Sequence, residues 1–184
     1  MEGEQYVSID VEASGPVPGE YSMLSIGACM VGNTKKRFYV ELKPLNDNYV
    51  AEAVKVCGLS MEKLKMEGVE PRIAIEKFAR WVGAASKGST PVFCSWCTFD
   101  WMFMKWYLTR FGYPKLFGPC GCDMKSYYAG MMNVGFGKAR KKNIPAQLKP
   151  KKKHTHNALD DALEQAELYD NMFSFNAKAH AAKE

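Results

Sequence analysis

The chain has 184 residues, of which 47% are hydrophobic and 24% are charged, and its formal net charge is +5. This composition is typical of one globular domain with a sizeable core, and it excludes disordered and collagen-like chains. No apolar run approaches the roughly 18 residues of a membrane span, and the first residues lack the basic and then apolar order of a signal peptide. We therefore expect a soluble, cytoplasmic protein with a single domain over residues 1–176 and a short C-terminal tail at 177–184.

The positive charge is concentrated in one segment. Residues 138–153 contain eight Lys or Arg and no acid, and removing these eight from the total of +5 leaves −3 for the rest of the chain. A local basic segment on a mildly acidic body indicates a polyanionic partner, although such runs are often only solvated loops.

The six cysteines predict free thiols, because the chain can build an adequate core and carries no export signal. One alternative is a four-thiolate zinc site formed by Cys94 and Cys97 together with Cys120 and Cys122. The C-x-C spacing of the second pair is less usual for such a site.

The first half of the chain predicts a strand, a hairpin and helices. Residues 6–12 alternate between apolar and polar side chains, which predicts a strand with its acids pointing outward. Two β-rich runs at 23–31 and 37–42 are separated by Gly32 and Asn33, a spacing that favours a hairpin. The predicted helical elements that follow are 50–57 before Gly58, a short turn capped by Ser60, and a helix from Pro71 to about Gly83.

The second half predicts strand and helix in alternation. Its elements are a buried strand at 91–96, a helix at 99–111, a brief strand at 120–123, a helix through Met131 and a last helix at about 157–173. The long stretch before the last helix predicts a functional or disordered loop. A hairpin followed by strand and helix units predicts the α/β class, with a mixed sheet and helices on its faces.

Two acids share one face of the first strand. Side chains two residues apart on a strand point the same way, so Asp10 and Glu12 bring two carboxylates to one side. Such a pair suits a metal ion, but taken alone it is also typical of an exposed strand face with two solvated acids.

A third acid, Asp100, follows the buried strand and opens the next helix, where ligands gather in open α/β sheets. The same position is typical of a helix cap.

Near the C-terminus, His156 lies at the mouth of the last helix and Asp161 lies inside it, on the face of Ala158. Small residues on that face let the helix approach the sheet, which favours Asp161 over a solvated Asp160.

The ordered set resembles the DEDDh 3′-to-5′ exonuclease family, which includes the proofreading subunit of bacterial DNA polymerase III and ribonuclease T. The residues that carry the resemblance are Asp10 and Glu12 with a following Gly15, then Phe99 and Asp100, and then His156 five residues before Asp161. It covers residues 6 to about 173. It implies a ribonuclease H-like, five-stranded mixed sheet, with an antiparallel hairpin plus parallel strands and helices on both faces.

The resemblance also implies a reaction and its cofactors. The expected activity is 3′-to-5′ hydrolysis of single-stranded nucleic acid with a free 3′ end, releasing nucleoside 5′-monophosphates. Two divalent cations, Mg²⁺ or Mn²⁺, would be held by carboxylates. Asp10 would bridge them, Glu12 and Asp161 would complete the site of the water-activating ion, and Asp100 would serve the second ion, partly through water. His156 would be the general base.

The expected substrate contacts are Ser14, Trp96, Phe99, Lys151, Lys152 and Lys153. Trp96 stands where the family often has Asn four residues before the third acid. It could offer a stacking surface to a base or pack in the core. The lysines before His156 suit the substrate backbone upstream of the scissile bond, with solvated surface or a localisation signal as the alternatives.

RNA is the substrate that the resemblance favours, because relatives that act as stand-alone domains often process RNA. The alternatives are a DNA exonuclease of the proofreading type and a catalytically weak nucleic-acid-binding module. Dimers occur in part of the family, so a homodimer is a further expectation.

Overall fold

A computed structural model describes residues 3–181, apart from the side chain of residue 180. Within this range five strands form one sheet in the order β3-β2-β1-β4-β5. The strands are β1 (Glu4–Ala13), β2 (Met23–Met30), β3 (Asn33–Glu41), β4 (Thr90–Ser95) and β5 (Cys122–Asp123). β1, β2 and β3 pair antiparallel, whereas β4 runs parallel to both β1 and β5. The mixed sheet predicted from the sequence is therefore confirmed.

The described residues contain six α-helices, distributed over both faces of the sheet. They are α1 (Ala51–Cys57), α2 (Met61–Glu67), α3 (Pro71–Ser86), α4 (Thr98–Arg110), α5 (Met124–Met131) and α6 (Ala158–Ala181). α3 and α4 pack with the main apolar core, while α5 and α6 enclose a second core on the other face. None of these described helices has the length and apolar character needed to span a bilayer. The layered α/β class is confirmed.

The polar face of β1 is covered, and here the prediction of outward-pointing acids is wrong. Ser8 and Asp10 are buried on this face, and the Ser8 hydroxyl donates to the carbonyl oxygen of Ala162 at 2.8 Å. The reason is that α6 lies against this side of β1 and β2. A strand alternation that looks half-exposed in sequence is thus buried on both sides.

Gly27 explains how α6 approaches so closely. It pairs with Asp10 across the β1–β2 ladder. A Cβ atom on Gly27 would lie 2.1 Å from the carbonyl carbon and oxygen of Ala158 and 2.2 Å from the backbone nitrogen of Leu159. Only glycine leaves room for the first turn of α6 beside the middle of β1.

Several elements extend beyond their predicted ends. β3 begins at Asn33, α3 continues through Gly83 to Ser86, and α6 reaches Ala181. α6 continues because its later turns pack against α5, where the Asn176 side chain donates to the Tyr127 hydroxyl at 3.2 Å. Residues 177–181 of the predicted tail therefore belong to α6, and residues 182–184 lie outside the described part of the chain.

All six cysteines are free, as predicted. Within residues 3–181 no three of their sulfur atoms lie close enough to share an ion. The Cys94 thiol donates to the carbonyl of Val7 at 3.4 Å, and the Cys122 sulfur lies 2.8 Å from the Tyr169 hydroxyl. The thiols are thus used in packing, and the four-thiolate zinc alternative is wrong.

Candidate active site

Four carboxylates from three elements meet in one cavity of about 260 Å³. Asp10 and Glu12 come from β1, Asp100 from the first turn of α4, and Asp161 from the first turn of α6. Asp161 is 0% exposed, Asp100 is 4% exposed and Asp10 is 9% exposed. One carboxylate oxygen from each of Asp10, Glu12 and Asp161 lies within 4.8 Å of the others. The structure therefore brings together the four acids singled out in the sequence.

Asp100 is held by β1 and does not cap its own helix. The residue preceding α4 in the capping position is Cys97, and Asp100 Oδ1 accepts the backbone N–H of Val11 at 3.1 Å. Pairing between β1 and β4 ends at Ser8. The N–H of Val11 therefore lies beyond β4 and takes a carboxylate in place of a strand carbonyl.

Asp161 fastens the loop that precedes α6. Its Oδ1 accepts the backbone N–H of Thr155 at 2.7 Å, and its Oδ2 accepts the backbone N–H of His156 at 2.9 Å. His156 has a φ of 59°, in the left-handed region, and its side chain borders the cavity. Asp160 is exposed, as predicted. The buried acid thus positions the histidine at the site.

A second histidine, missed in the sequence analysis, also borders the cavity. His154 Nδ1 lies 3.0 Å from Asp161 Oδ2. The rings of His154 and His156 meet edge to face, with 4.5 Å between their centroids. The signal in the sequence was the His-x-His spacing, and the loop brings both of these histidines to the carboxylate of Asp161.

Gln165 is another functional residue that the sequence analysis missed. It is 1% exposed, its Nε2 donates to Asp10 Oδ1 at 2.6 Å, and its Oε1 accepts the backbone N–H of Trp96 at 2.8 Å. It therefore links α6, β1 and the end of β4. Gln165 lies four residues after Asp161 and so on the same helix face. A polar residue in that alanine-rich buried stripe was the available signal.

Burial and mutual repulsion make the acids hard to ionise together. Burial raises the pKa of Asp10 well above its usual range, and the charges of Asp100, Glu12 and Asp161 raise it further. Burial, followed by the charges of Asp161 and Asp100, raises the pKa of Glu12 to about 8. Burial raises the pKa of Asp100 to about 7, although the hydrogen bond from the Val11 backbone opposes this change.

This donor set fits hard divalent cations. Every carboxylate oxygen in the group formed by Asp10, Glu12 and Asp161 is a hard ligand of the kind that Mg²⁺ and Mn²⁺ prefer. A bound cation would also offset the repulsion among the buried acids. The residues present therefore fit the cations that the sequence predicts.

One lysine of the basic segment reaches this cavity. Lys141 forms an ion pair with the buried Glu164, and its Nζ lies 5.7 Å from the ring centroid of Trp96. Lys141 and the half-buried Trp96 both border the cavity. The structure therefore places Trp96 at the site with one face beside a cation.

The lysines singled out in the sequence lie elsewhere. Lys151, Lys152 and Lys153 are exposed and do not border the acid cavity. Lys151 and Lys152 border a separate cavity of about 440 Å³ beside α6, where the backbone N–H of Lys152 donates to Glu167 at 3.3 Å.

The two remaining expected substrate contacts have different surroundings. Ser14 is fully buried, and its hydroxyl is used within the fold. It donates to the carbonyl of Asn48 at 2.8 Å and accepts the N–H of Ser22 at 2.9 Å. It does not border the acid cavity. Phe99 borders that cavity and also a neighbouring one of about 540 Å³, which lies between the end of β1 and α1.

A mixed sheet with acids gathered where β1, α4 and α6 meet defines a nuclease of the ribonuclease H-like fold. The sequence model of the family described as Exonuclease matches residues 7–169. A protein from Escherichia coli named 3′-5′ DNA exonuclease Cap18 is 40% identical over 168 residues, covering 90% of each chain. This chain belongs to the DEDDh 3′-to-5′ exonuclease family, and it is an enzyme that acts on nucleic acid.

Solved structures share the fold at low sequence identity. The nuclease domain of 3′hExo, a DEDDh family member bound to rAMP, has a TM-score of 0.76 and 14% identity, with 93% of this chain and 92% of that chain covered. Pop2p from S. pombe, in its Mg²⁺- and Mn²⁺-bound form, has a TM-score of 0.66 and 17% identity, with 92% of this chain and 82% of that chain covered. These matches confirm the ribonuclease H-like architecture.

Proposed function

We propose that this chain removes nucleoside 5′-monophosphates from the 3′ end of single-stranded DNA, with two divalent cations and a histidine base. The observation that carries the proposal is the convergence of Asp10, Glu12 and Asp161, whose carboxylate oxygens lie within 4.8 Å of one another. Asp100 borders the same cavity. Burying several carboxylates in one cleft costs folding free energy, and such clusters are typical of functional sites.

These acids would hold the cations, with Asp10, Glu12 and Asp161 around one ion and Asp100 beside the second. When bound, such ions stabilise negative charge on the attacking and leaving oxygens of a phosphodiester. Among the protein's own groups, Gln165 donates to one oxygen of Asp10 at 2.6 Å and so orients this carboxylate, which borders the cavity.

His156 is the proposed general base, which takes the proton of the attacking water on its imidazole nitrogen. It is exposed at the rim of the cavity, and its backbone N–H is held by Asp161 at 2.9 Å. This leaves the imidazole accessible to water while the backbone beneath it is fixed. A histidine can accept and return a proton near neutral pH.

The surroundings of the acids suggest how a strand end is held. The apolar cavity of about 540 Å³ beside Phe99 has the size and lining for a terminal nucleobase, with Val50 and Ala53 as walls. On the other side of the acids, Lys141 would meet a phosphate and Trp96 would stack with a base. Lys151 to Lys153 would contact the backbone farther upstream, where contacts depend on salt.

DNA is proposed as the substrate because the Escherichia coli relative at 40% identity is named a DNA exonuclease. The preference for RNA inferred from the sequence stays a prediction, as do the homodimer and the cytoplasmic location. Proteins distinguish the two nucleic acids by contacts to the sugar 2′ position. Matched substrates are therefore needed to decide between them.

The test uses 5′-labelled single-stranded DNA and RNA of the same sequence, with Mg²⁺, Mn²⁺ or EDTA. We expect products that shorten stepwise from the 3′ end, faster for DNA, and no products in EDTA. Asp161→Asn should lower the rate by at least ~10³-fold, while the matched control Asp160→Asn changes an exposed neighbour and should keep the rate. A normal rate for Asp161→Asn would overturn the assignment.

A further inference from the structure

Two imidazoles share one carboxylate at the rim of the acid cavity. His154 Nδ1 lies 3.0 Å from Asp161 Oδ2. One ligand atom from each of His154, His156 and Asp161 lies within 4.8 Å of the other two. We propose that these three residues form a site for Zn²⁺ or a similar borderline-soft cation, and that occupation of this site inhibits the enzyme. The inhibition, though not the binding, rests on the function proposed above.

The ligand types separate this site from the one formed by acids alone. Imidazole nitrogen favours Zn²⁺, Cu²⁺ and Ni²⁺ over Mg²⁺, and the usual affinity order for divalent metals points the same way. Two histidines, one carboxylate and a water form a common four-coordinate zinc arrangement. The carboxylates of Asp10 and Glu12, in contrast, offer only the oxygen ligands that suit Mg²⁺.

The geometry needs only a small closure. Zinc ligands at about 2.1 Å from the ion lie roughly 3.4 Å apart in a tetrahedral arrangement. The present separations of up to 4.8 Å must therefore shrink by about 1.4 Å at most. Both histidine side chains are exposed, whereas Asp161 is buried and accepts hydrogen bonds from two backbone N–H groups. A cation would therefore bind the buried Asp161 oxygen, and the exposed imidazoles would adjust around it.

Such a site would inhibit hydrolysis for two reasons. Zinc bound to His156 would add positive charge to the imidazole that is proposed to accept the proton of the attacking water. Zinc on Asp161 would also withdraw an oxygen from the acid group that includes Asp10 and Glu12. Because Asp161 is shared, raising the Mg²⁺ concentration should oppose the inhibition.

Zinc binding can be measured on metal-free protein without nucleic acid. The probe is ZnCl₂, titrated in competition with a chromophoric chelator. We expect one tight Zn²⁺ per chain, with affinity lowered by at least ~10-fold in His154→Ala. His154→Gln, which keeps a polar side chain beside Asp161, should lose the same affinity and guards against a folding defect, checked by thermal unfolding. Cys120→Ser is the matched control, because Cys120 is an exposed thiol that belongs to neither group of three candidate ligands among the described residues. This variant should bind zinc normally.

The second arm measures how Zn²⁺ inhibits each variant relative to its own rate in Mg²⁺. The half-inhibitory Zn²⁺ concentration should rise with Mg²⁺ in the unaltered protein and should be at least ~10-fold higher in both His154 variants. Equal zinc affinity in the unaltered protein and both His154 variants would overturn the site. Equal inhibition of all three would overturn its inhibitory role. Absence of nuclease activity would contradict the proposed function alone, because the binding titration contains no substrate.

Discussion

Replacing Glu12 by Gln should stabilise the metal-free protein while it abolishes hydrolysis. The Glu12 carboxylate lies within 4.8 Å of carboxylate oxygens of Asp10 and Asp161. Burial, then the charges of Asp161 and Asp100, raises its pKa from the ordinary value of 4.5 to about 8. Gln has nearly the same shape without the charge, so the substitution removes the repulsion and keeps the packing.

The size and pH dependence of this effect follow from that pKa. Two unit charges about 5 Å apart repel by roughly 3 kcal/mol at an effective dielectric constant near 20. The change in pKa corresponds to at most about 4–5 kcal/mol, which the partial exposure of Glu12 reduces to roughly 2 kcal/mol at pH 8. Because the folded-state pKa is raised, the cost is absent below about pH 4.5 and grows as the pH rises toward 8. The gain from Glu12→Gln should therefore fall below ~0.5 kcal/mol at pH 5.

The assay is thermal unfolding in EDTA at pH 5 and pH 8. A gain of ~2 kcal/mol should raise the Tm by roughly 4–8 °C at pH 8 for a chain of this size. Glu20→Gln, a substitution of an exposed acid outside the cavity, is the control and should leave the Tm unchanged. A lower Tm for Glu12→Gln at pH 8, or an equal gain at both pH values, would refute the idea that crowded carboxylates destabilise the metal-free fold.

Three further predictions concern the support of the acids. Gly27→Ala should destabilise the protein by ~1–3 kcal/mol in thermal unfolding, because the new Cβ would lie 2.1 Å from the Ala158 backbone. The control is Gly83→Ala, on an exposed part of α3 with open space around the new Cβ, which should stabilise the protein slightly. A higher Tm for Gly27→Ala would contradict this. Gln165→Leu should weaken Mn²⁺ binding by at least ~10-fold in calorimetry, since it frees the Asp10 oxygen; unchanged affinity would make Gln165 merely structural. Mg²⁺ should raise the Tm more at pH 8 than at pH 5, because at pH 5 protons compete with Mg²⁺ for carboxylates whose pKa values are raised. EDTA should reverse the gain, and a gain that does not depend on pH would count against these residues as the ligands.

The acids could be found from the sequence because their chemistry depends on residue type and order. The strand period placed Asp10 and Glu12 on one face, and the small side chain of Ala158 favoured Asp161 over its neighbour. What the strand period did not predict is that this face of β1 is buried. That depends on Gly27, whose missing side chain admits a helix more than a hundred residues later in the chain. Local periodicity contains no information about such a distant contact.

Helix ends were predicted less well for a similar reason. The apolar pattern of α6 weakens after Phe173, yet the helix continues to Ala181. A turn beyond Phe173 is held to α5 by the side chain of Asn176, which donates to the Tyr127 hydroxyl at 3.2 Å. Tertiary packing therefore outweighs local propensity at the end of this helix.

In the basic segment 138–153, the buried apolar residues determine which lysine lies beside the acids. Its lysines suggested a solvated or disordered loop, but ordering each backbone residue costs about 1–2 kcal/mol and requires compensation. Ala139, Ile144 and Leu148 supply it, because all three are buried in the core between α5 and α6. This anchoring turns Lys141 toward the acid cavity while the next residue, Lys142, stays exposed. Which of the many lysines counters the acids is therefore decided by three apolar residues that a charge count ignores.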